Sequence, residues 1–454
     1  MEGTDVVFER TEAIERFPSP RDFGDVDWAE TPHWYGVGTP SRQVSQGWKL
    51  YVSATPANYI SLILNAAPVF LRHGIAFKYL RSIDHLCQAN IGLFGFSQVG
   101  KNLVAYLETP ESSAEALTAL RQWLGVSGHF GPVVPRLQQL WRGIPAFLRY
   151  GAYRGTTLSI DGRDVVDDRD DPKAVIDVLD QYALWDVVRH REAPPSRHDS
   201  PSLLARYPVR SVICRSGKGG VFIATDVRSG DECIAKLGLR HGAELPDGRD
   251  GAHFVRHEAR MYALMTARGM GTHLPHVIEF SDEADASILL LERLSGEDLF
   301  AARSSLSSDV SWVDKAVDII SKAHFAGFVL GDVKLSNFVV TGSSLRLIDL
   351  ESCQGVCSDR KEDMPVSFRA FGVDDIDRFT AYSMHFLLSV LFVDGAKESL
   401  RANRIVDLNE LLASPPRRDA WDEFALAALK RLMGAMTPGF TSFGRKPLPS
   451  SSEG

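Results

Sequence analysis

Four polar residues lie close together in the second half of the chain, in and just after the run GDVKLSNFVV. Asp332, Lys334 and Asn337 fall within six residues, and Asp349 follows in the strand-like run LRLIDLES. A carboxylate can orient or deprotonate a hydroxyl, a lysine can neutralise a moving phosphoryl group, and Asn and Asp oxygens can hold magnesium. A capping or surface role would explain any one of these residues, but the four together predict a phosphoryl-transfer site.

Two charged residues upstream fit the same chemistry. Lys236 stands in the apolar run CIAKLGL, and Glu258 shares one face of a predicted helix with Met261 and Met265. A carboxylate in a core-facing stripe needs a cation, and Lys236 is the natural one. Such a pair would hold the lysine against the phosphates of a nucleotide. A Glu258 in water at the edge of the stripe is the alternative.

A glycine-rich turn, SGKGGVF, precedes these residues. Gly217, Gly219 and Gly220 would let backbone amides approach phosphates closely. A plain hairpin turn explains the same glycines equally well.

The order of these motifs resembles the protein-kinase fold, over about residues 205–440. The resemblance implies ATP and Mg²⁺ as cofactors. It implies a nucleotide site of Gly217, Gly219, Gly220, Lys236, Glu258 and the hinge at Glu292, with Asp332 and Lys334 as catalytic residues and Asn337 and Asp349 as metal ligands. The usual His-Arg before the catalytic Asp is Leu330-Gly331 here, and no Ala-Pro-Glu motif is visible. These departures favour an atypical kinase that loop phosphorylation does not regulate.

Cations also recur beside strand-like runs in the first half. They are Lys49, Lys78, Arg81, Lys101 and Arg149. Alternation places Lys49 and Tyr51 on one face of a strand. Cations that converge on one cleft would bind a phosphate, and a desolvated lysine among them can act as a base. Surface lysines on edge strands would give the same pattern.

The runs QGWK…VSAT and FKYLRS, together with the order of the two halves, resemble the class III lanthipeptide synthetases. The N-terminal lyase domain of that family is similar in fold to the phosphothreonine lyases. The resemblance implies phosphorylation of Ser or Thr in a ribosomally made precursor peptide, followed by elimination to dehydroalanine or dehydrobutyrine. It implies Lys78 as the base, with Lys49, Lys101 and Arg149 around the phosphate.

Two positions depart from that family. Tyr51 stands where the family has a His that acts as general acid, and tyrosine, with a reference pKa of about 10, is a poorer donor at neutral pH. Ser97 and Gln98 stand where the family has an Arg before Gly100-Lys101. A Ser/Thr kinase whose first half only binds peptide is therefore the second hypothesis. A non-enzymatic scaffold is the third.

The run RHREAPPSRHDSP reads as a linker. We expect an α+β fold with a lyase-like domain over 1–190, a linker over 191–206, a bilobal kinase-like domain over 207–442 and a disordered tail over 443–454. Full synthetases of the family carry a C-terminal cyclase domain, and we expect none in this sequence. Closure of rings in the peptide would therefore require a separate cyclase or other tailoring enzyme.

Composition excludes several other classes. A net charge of −8 gives no basic footprint for nucleic acid, and no apolar run is long enough to cross a bilayer. The charged N-terminus is not a signal peptide, and five scattered cysteines favour a reducing, cytoplasmic compartment. Cys353 and Cys357 lack a second ligand pair, so two ordinary thiols are favoured over a zinc site.

Overall fold

The computed structural model of the chain describes residues 17–108, 110–160, 162–168, 202–302, 311–330 and 332–355. The chain divides into two compact units, Met1–Val255 with Ser281–Ile288, and Arg256–Phe280 with Leu289–Gly454. Helices and sheets mix in a pattern consistent with the predicted α+β class. Most of the predicted linker, the whole predicted tail and residues 356–442 of the predicted kinase-like domain lie outside the described residues.

Among the described residues up to 168, the chain forms nine strands and three α-helices. They are β1 (Trp28–Glu30), β2 (Trp34–Val37), β3 (Gln46–Val52), α1 (Tyr59–Arg72), β4 (Phe77–Leu80), α2 (Ile83–Ile91), β5 (Leu103–Leu107), α3 (Pro110–Ser127), β6 (Gln138–Trp141), β7 (Ile144–Ala152), β8 (Thr157–Ile160) and β9 (Arg163–Val166).

Seven of these strands form one sheet in the order β1-β2-β4-β5-β3-β7-β6, and β8 and β9 form a separate hairpin. One face of the sheet carries a core in which Leu50 and Leu103 pack with Leu62 of α1 and Leu120 of α3. Complete burial of each such side chain stabilises the folded state by about 1.5–3 kcal/mol. The opposite face carries a smaller cluster around Tyr51 and Val104. A binding site on this sheet is therefore expected on the less covered face, because the helices pack against the other one.

A second sheet follows along the chain. The short helix α4 (Ser202–Arg206) precedes it. Its strands are β10 (Val209–Ser216), β11 (Gly219–Thr225), β12 (Glu232–Leu239), β13 (Val277–Asp282) and β14 (Ala286–Glu292). The strand order is β10-β11-β12-β14-β13. Helix α5 (Gly251–Met265) comes between β12 and β13. It begins where Asp250 accepts the backbone N–H of His253 at 2.8 Å, as an N-cap does.

Short elements complete the described chain. They are α6 (Leu299–Ala302), α7 (Ser311–Phe325), β15 (Phe328–Val329), β16 (Phe338–Thr341), β17 (Ser344–Leu347) and β18 (Gln354–Gly355). β16 and β17 form an antiparallel hairpin that pairs Phe338 with Leu347. Among the described residues, no helix is both long and apolar enough to span a bilayer.

Candidate functional site

Strand register brings three of the predicted lyase residues to one face of the seven-stranded sheet. Tyr51 on β3 lies opposite Val104 on β5, and Val104 lies opposite Lys78 on β4. Lys49 lies opposite Tyr106, two positions along from Tyr51. Because side chains alternate along a strand, Lys49, Tyr51 and Lys78 share the less covered face.

These residues line a small cavity of about 40 Å³. Its lining comprises Trp34, Lys49, Tyr51, Lys78, Gln98, Lys101, Val104 and Tyr106. Lys101 enters from the loop before β5. Gly100 precedes it with a φ of +72°, and a Cβ there would lie 3.0 Å from Val134 and 3.1 Å from the carbonyl of Pro132. Only glycine suits that turn and that close approach.

Aromatic rings contact the lysine ammonium groups. The Nζ of Lys78 lies 4.4 Å from the centroid of the Trp34 ring, and that of Lys101 lies 5.1 Å from the centroid of the Tyr51 ring. Lys49 donates a hydrogen bond to the carbonyl oxygen of Ala152. Lys49 and Lys101 are only 7% and 4% exposed. Ring faces stabilise buried cations, so the cavity is an electropositive site with fixed walls.

Arg149, the fourth predicted phosphate ligand, does not line this cavity. It lies opposite Lys49 in the sheet, but its guanidinium forms a buried ion pair with Asp167. Asp167 also accepts the backbone N–H of Ala152 at 3.0 Å. The geometry therefore gives Arg149 a structural partner, while Lys49, Lys78 and Lys101 converge.

Tyr153 supports the same strands from the side. Its hydroxyl donates to the carbonyls of Trp48 and Leu107 at 2.9 and 3.0 Å. Burial raises the pKa of Tyr153 well above its ordinary value, and repulsion from Glu108 adds to that shift. Tyr153 is therefore a protonated donor at neutral pH, with a structural role.

Sequence reasoning missed Trp34, Tyr106 and Asp167. Tyr106 could have been found, because it alternates with Val104 in a run that reads as a strand. Trp34 lies on β2, a four-residue strand with no clear alternation signal. Asp167 meets Arg149 across 18 residues of chain, and spacing does not reveal such a pair.

The predicted phosphoryl-transfer residues meet around the hairpin of β16 and β17. The Nζ of Lys334 lies 2.5 Å from Oδ2 of Asp332, and Nδ2 of Asn337 donates to the carbonyl of Asp332 at 2.7 Å. The N–H of Ile348 donates to the carbonyl of Asn337 at 2.8 Å, so Asp349 follows directly beside Asn337. The structure thus brings Asp332, Lys334 and Asn337 into contact and places the Asp349 backbone next to them.

This arrangement fits a magnesium ion by the type of its donor atoms. Because the Asn337 amide nitrogen donates to Asp332, its Oδ1 is the atom that remains for a metal. Asp349 offers a carboxylate, and oxygen donors are what Mg²⁺ prefers. Its backbone φ is +65°, a left-handed value that is uncommon outside glycine. Strain of this kind occurs at sites where a side chain must be held in a special direction.

Glu258 on α5 is buried, at 1% exposure. Its Oε1 accepts the backbone N–H of Leu350 at 3.0 Å. The preceding residue of the helix, His257, makes a second contact, since its Nε2 lies 2.7 Å from the carbonyl oxygen of Cys353. Burial raises the pKa of the Cys353 thiol to about 12. Helix α5 therefore holds the turn that follows Asp349.

The other predicted nucleotide residues lie in strands and turns. Gly217 is in the β10–β11 turn, Gly219 and Gly220 begin β11, and Lys236 lies on β12 opposite Val221. The ion pair of Lys236 with Glu258 stays a prediction. Glu292 ends β14, accepts the N–H of His276 at 3.0 Å and lies 3.9 Å from Arg346.

A polar cluster that the sequence did not suggest comprises His241, Glu244 and Asp250. Nδ1 of His241 lies 2.8 Å from Oε2 of Glu244. Both oxygens of Asp250 accept backbone N–H groups, from His241 and from His253, at 2.8 Å. These contacts make Asp250 the cap of α5 and the tie of the preceding loop.

Comparison with known proteins identifies the first half. Residues 19–183 match the family model of the RamC N-terminal domain. The chain is 26% identical to the probable SapB synthase of Streptomyces coelicolor over 344 residues, which is 69% of this chain and 36% of that protein. It is 29% identical over 139 residues, 30% of this chain, to a probable bifunctional tRNA threonylcarbamoyladenosine biosynthesis protein of Methanothermobacter thermautotrophicus, and covers 24% of it.

The chain thus spans about a third or less of the length of these curated relatives. The residues matched by the family model include Lys49, Tyr51, Lys78, Lys101 and Arg149. The predicted family resemblance is confirmed by this match together with the similarity to the SapB synthase. The match of residues 19–183 to the RamC N-terminal domain and the similarity to the SapB synthase thus support a protein of the class III lanthipeptide synthetase type.

Proposed function

We propose that this protein phosphorylates Ser or Thr in a ribosomally made precursor peptide and then eliminates the phosphate to leave dehydroalanine or dehydrobutyrine. The observation that carries the proposal is the cavity in which Lys49, Lys78 and Lys101 converge on Tyr51, inside a RamC N-terminal domain. The Asp332 cluster supports the preceding step. A cavity lined by three lysines is suited to binding an anionic group such as a phosphate.

In the first step, ATP would supply the phosphoryl group and magnesium would neutralise its charge. Asp332 would orient the peptide hydroxyl and accept its proton while a new O–P bond forms, the bond to ADP breaks and ADP leaves. Lys334, 2.5 Å from Asp332, would offset charge on the transferring group. Asn337 and Asp349 would hold the metal. Glu258 would keep the turn after Asp349 in place through its bond to Leu350.

In the second step, Lys78 would take the α-proton of the phosphorylated residue. The electron pair of that C–H bond forms the Cα–Cβ double bond, and the Cβ–O bond breaks. Lys49 and Lys101 would hold the departing phosphate, to which Tyr51 would give a proton. Lys78 would act as the uncharged amine, and the contact with Trp34 fixes the direction of its Nζ.

A second candidate function is a Ser/Thr kinase whose first half only binds peptide or phosphopeptide. Two observations favour it. Tyr51 is a weaker acid than the His of the family. A cavity of about 40 Å³ also offers room for only about three waters, which is little space for a phosphorylated side chain.

One assay separates the candidates. The full chain is incubated with ATP, magnesium and a candidate precursor peptide that contains Ser and Thr, and peptide masses are recorded over time. Gain of a phosphate followed by net loss of one water per residue supports the first candidate. A stable phosphopeptide supports the second, and an unchanged mass contradicts both.

A further inference from the structure

The glycine-rich turn contacts the first half of the chain directly. The N–H of Gly217 donates to the carbonyl of Ile91, the last residue of α2, at 3.2 Å. A Cβ at position 217 would lie 1.5 Å from the carbonyl oxygen of Asn90. No side chain other than hydrogen fits at that distance, so the turn packs backbone against backbone on the end of α2.

The same turn is held from its other side. The carbonyl of Lys218 accepts the N–H of Leu239 at 2.8 Å. It also lies 1.9 Å from the position that a Cβ on Gly251 would occupy. The turn therefore lies between α2 and the backbone around Leu239 and Gly251, all within the first compact unit.

A ring of asparagine hydrogen bonds fixes the end of α2. Buried Asn90 donates to the carbonyl of Ala54 at 2.9 Å and accepts from Asn102 Nδ2 at 2.8 Å. Asn102 closes the ring by accepting the N–H of Ala54 at 2.8 Å. Ala54 follows the strand of Lys49 and Tyr51, and Asn102 follows Lys101. The ring thus ties the walls of the lysine cavity to the helix end that holds Gly217.

Another contact joins the same two regions. The rings of Phe130 and His241 stack with centroids 4.3 Å apart and an interplanar angle of 27°. His241 lies in the loop after β12, and its backbone N–H donates to Asp250. Two separate points therefore fasten the β10–β12 strands and their loops to the first half.

We propose that the end of α2, held by Asn90 and Asn102, positions the glycine-rich turn for nucleotide binding. The first half of the chain is then a structural part of the nucleotide site, besides any chemistry of its own. The proposal rests on the proposed function, which assigns Gly217, Gly219 and Gly220 to the nucleotide loop. Asn90 and Asn102 are positioning residues in this account, since they act through Ile91 and Gly217.

Hydrogen exchange on the full chain tests the contact. In the Gly217→Ala protein the new methyl group must push the turn from α2, so exchange should speed up in both 89–93 and 215–219. Gly230→Ala is the matched control, because it strains the next hairpin turn at a φ of +80° without meeting another segment. That variant should leave exchange in 89–93 unchanged.

Nucleotide binding supplies the functional readout. We expect Asn90→Ala, which removes the hydrogen bonds to Ala54 and Asn102, to raise the KM for ATP about tenfold with kcat nearly unchanged, the size of a typical coupling between sites. In the unmodified chain, ATP with magnesium should slow exchange in 89–93 as well as in 215–219, a measurement that needs no variant to fold. Unchanged exchange in 89–93 in both experiments would overturn the proposal.

The two levels of inference fail differently. If the unmodified chain does not bind ATP, the proposed kinase step is wrong, and so is the role of α2 in nucleotide binding. Faster exchange of both segments in Gly217→Ala would then still show that the turn packs on α2. If the unmodified chain and Asn90→Ala have the same KM for ATP, the positioning role is wrong while the kinase assignment stands.

Discussion

Glu258 on α5 accepts the backbone N–H of Leu350 at 3.0 Å, and so the helix holds the residue that follows Asp349. Both groups are buried, at 1% exposure each. A buried carboxylate that caps a backbone amide is worth more than a surface contact, because neither group has water as an alternative partner. The position of the residue after Asp349 therefore depends on a helix that lies outside the hairpin of β16 and β17.

Replacing Glu258 tests this dependence. Glu258→Ala leaves the Leu350 N–H without its acceptor and should lower the free energy of unfolding by about 1–3 kcal/mol. Glu258→Gln keeps an acceptor oxygen and should lose less stability in the same urea titration. If the charge also holds Lys236, the Gln variant should still lose phosphorylation. Equal stability of the Ala variant and the parent would contradict the role of this contact.

The Arg149–Asp167 pair predicts a stability effect in the first half. Arg149→Met leaves a buried carboxylate without its cation, which should cost about 3–5 kcal/mol of unfolding free energy. Adding Asp167→Asn removes that charge but keeps an oxygen for the Ala152 N–H. The double variant should therefore unfold at higher urea than Arg149→Met alone. A double variant as unstable as the sum of the two singles would show that the pair is not coupled.

Tyr51 predicts a gain of activity. Tyr51→His should accelerate elimination from a phosphoserine peptide, since a general acid with a pKa near neutrality contributes about 10²- to 10⁴-fold. Tyr51→Phe is the matched control, because it keeps the ring under Lys101 and removes only the hydroxyl. Phosphate release is the measurement. Equal rates for Tyr51→His and Tyr51→Phe would rule out proton donation from this position.

His129 predicts a pH dependence of stability. Burial lowers its pKa from 6.5 to about 4, although its Nε2–H donates to the carbonyl of Ser53 at 2.9 Å. Below pH 6.5 His129 becomes protonated in the unfolded chain but stays neutral in the folded chain. The free energy of unfolding therefore falls from pH 6.5 down to about 4 and then levels off. The loss is about 3 kcal/mol, from 1.36 kcal/mol per pKa unit.

His129→Gln should flatten that part of the stability curve, since Gln can donate to Ser53 without titrating. His276→Gln, at an exposed position, serves as control and should leave the curve unchanged. Urea unfolding at a series of pH values from 4 to 7 gives the comparison. A curve for His129→Gln that keeps the parent's slope would disprove the assignment.

Much of the local structure was predictable, because periodicity reports burial. The run ANYISLILNAAPVFLRHG has apolar residues at helical spacing, and it contains α1 at Tyr59–Arg72. The apolar run CIAKLGL is typical of a strand, and it lies within β12 at Glu232–Leu239. The predicted helix that carries Glu258, Met261 and Met265 is α5 at Gly251–Met265. Its buried stripe also placed Glu258 in the core, as predicted.

What the sequence did not reveal depends on contacts between distant segments. Nothing in the spacing of Arg149 indicates that Asp167 neutralises it, so the prediction that Arg149 binds phosphate lacks support from the cavity lining. Gly217 was assigned to a nucleotide loop because glycines let backbone amides approach phosphates closely, yet its lack of a side chain also serves a contact with Asn90 and Ile91. Both contacts join different elements of the chain, and such tertiary packing is not determined by local propensities.

The most direct test of the two-step account follows peptide mass with ATP and magnesium in three proteins. The parent should give dehydrated peptide through a transient phosphopeptide. Lys78→Met should accumulate the phosphopeptide, and Asp332→Asn should leave the peptide unmodified. Phosphopeptide that persists in the parent as it does in Lys78→Met would contradict the claim that the lysine cavity acts on the product of the Asp332 site.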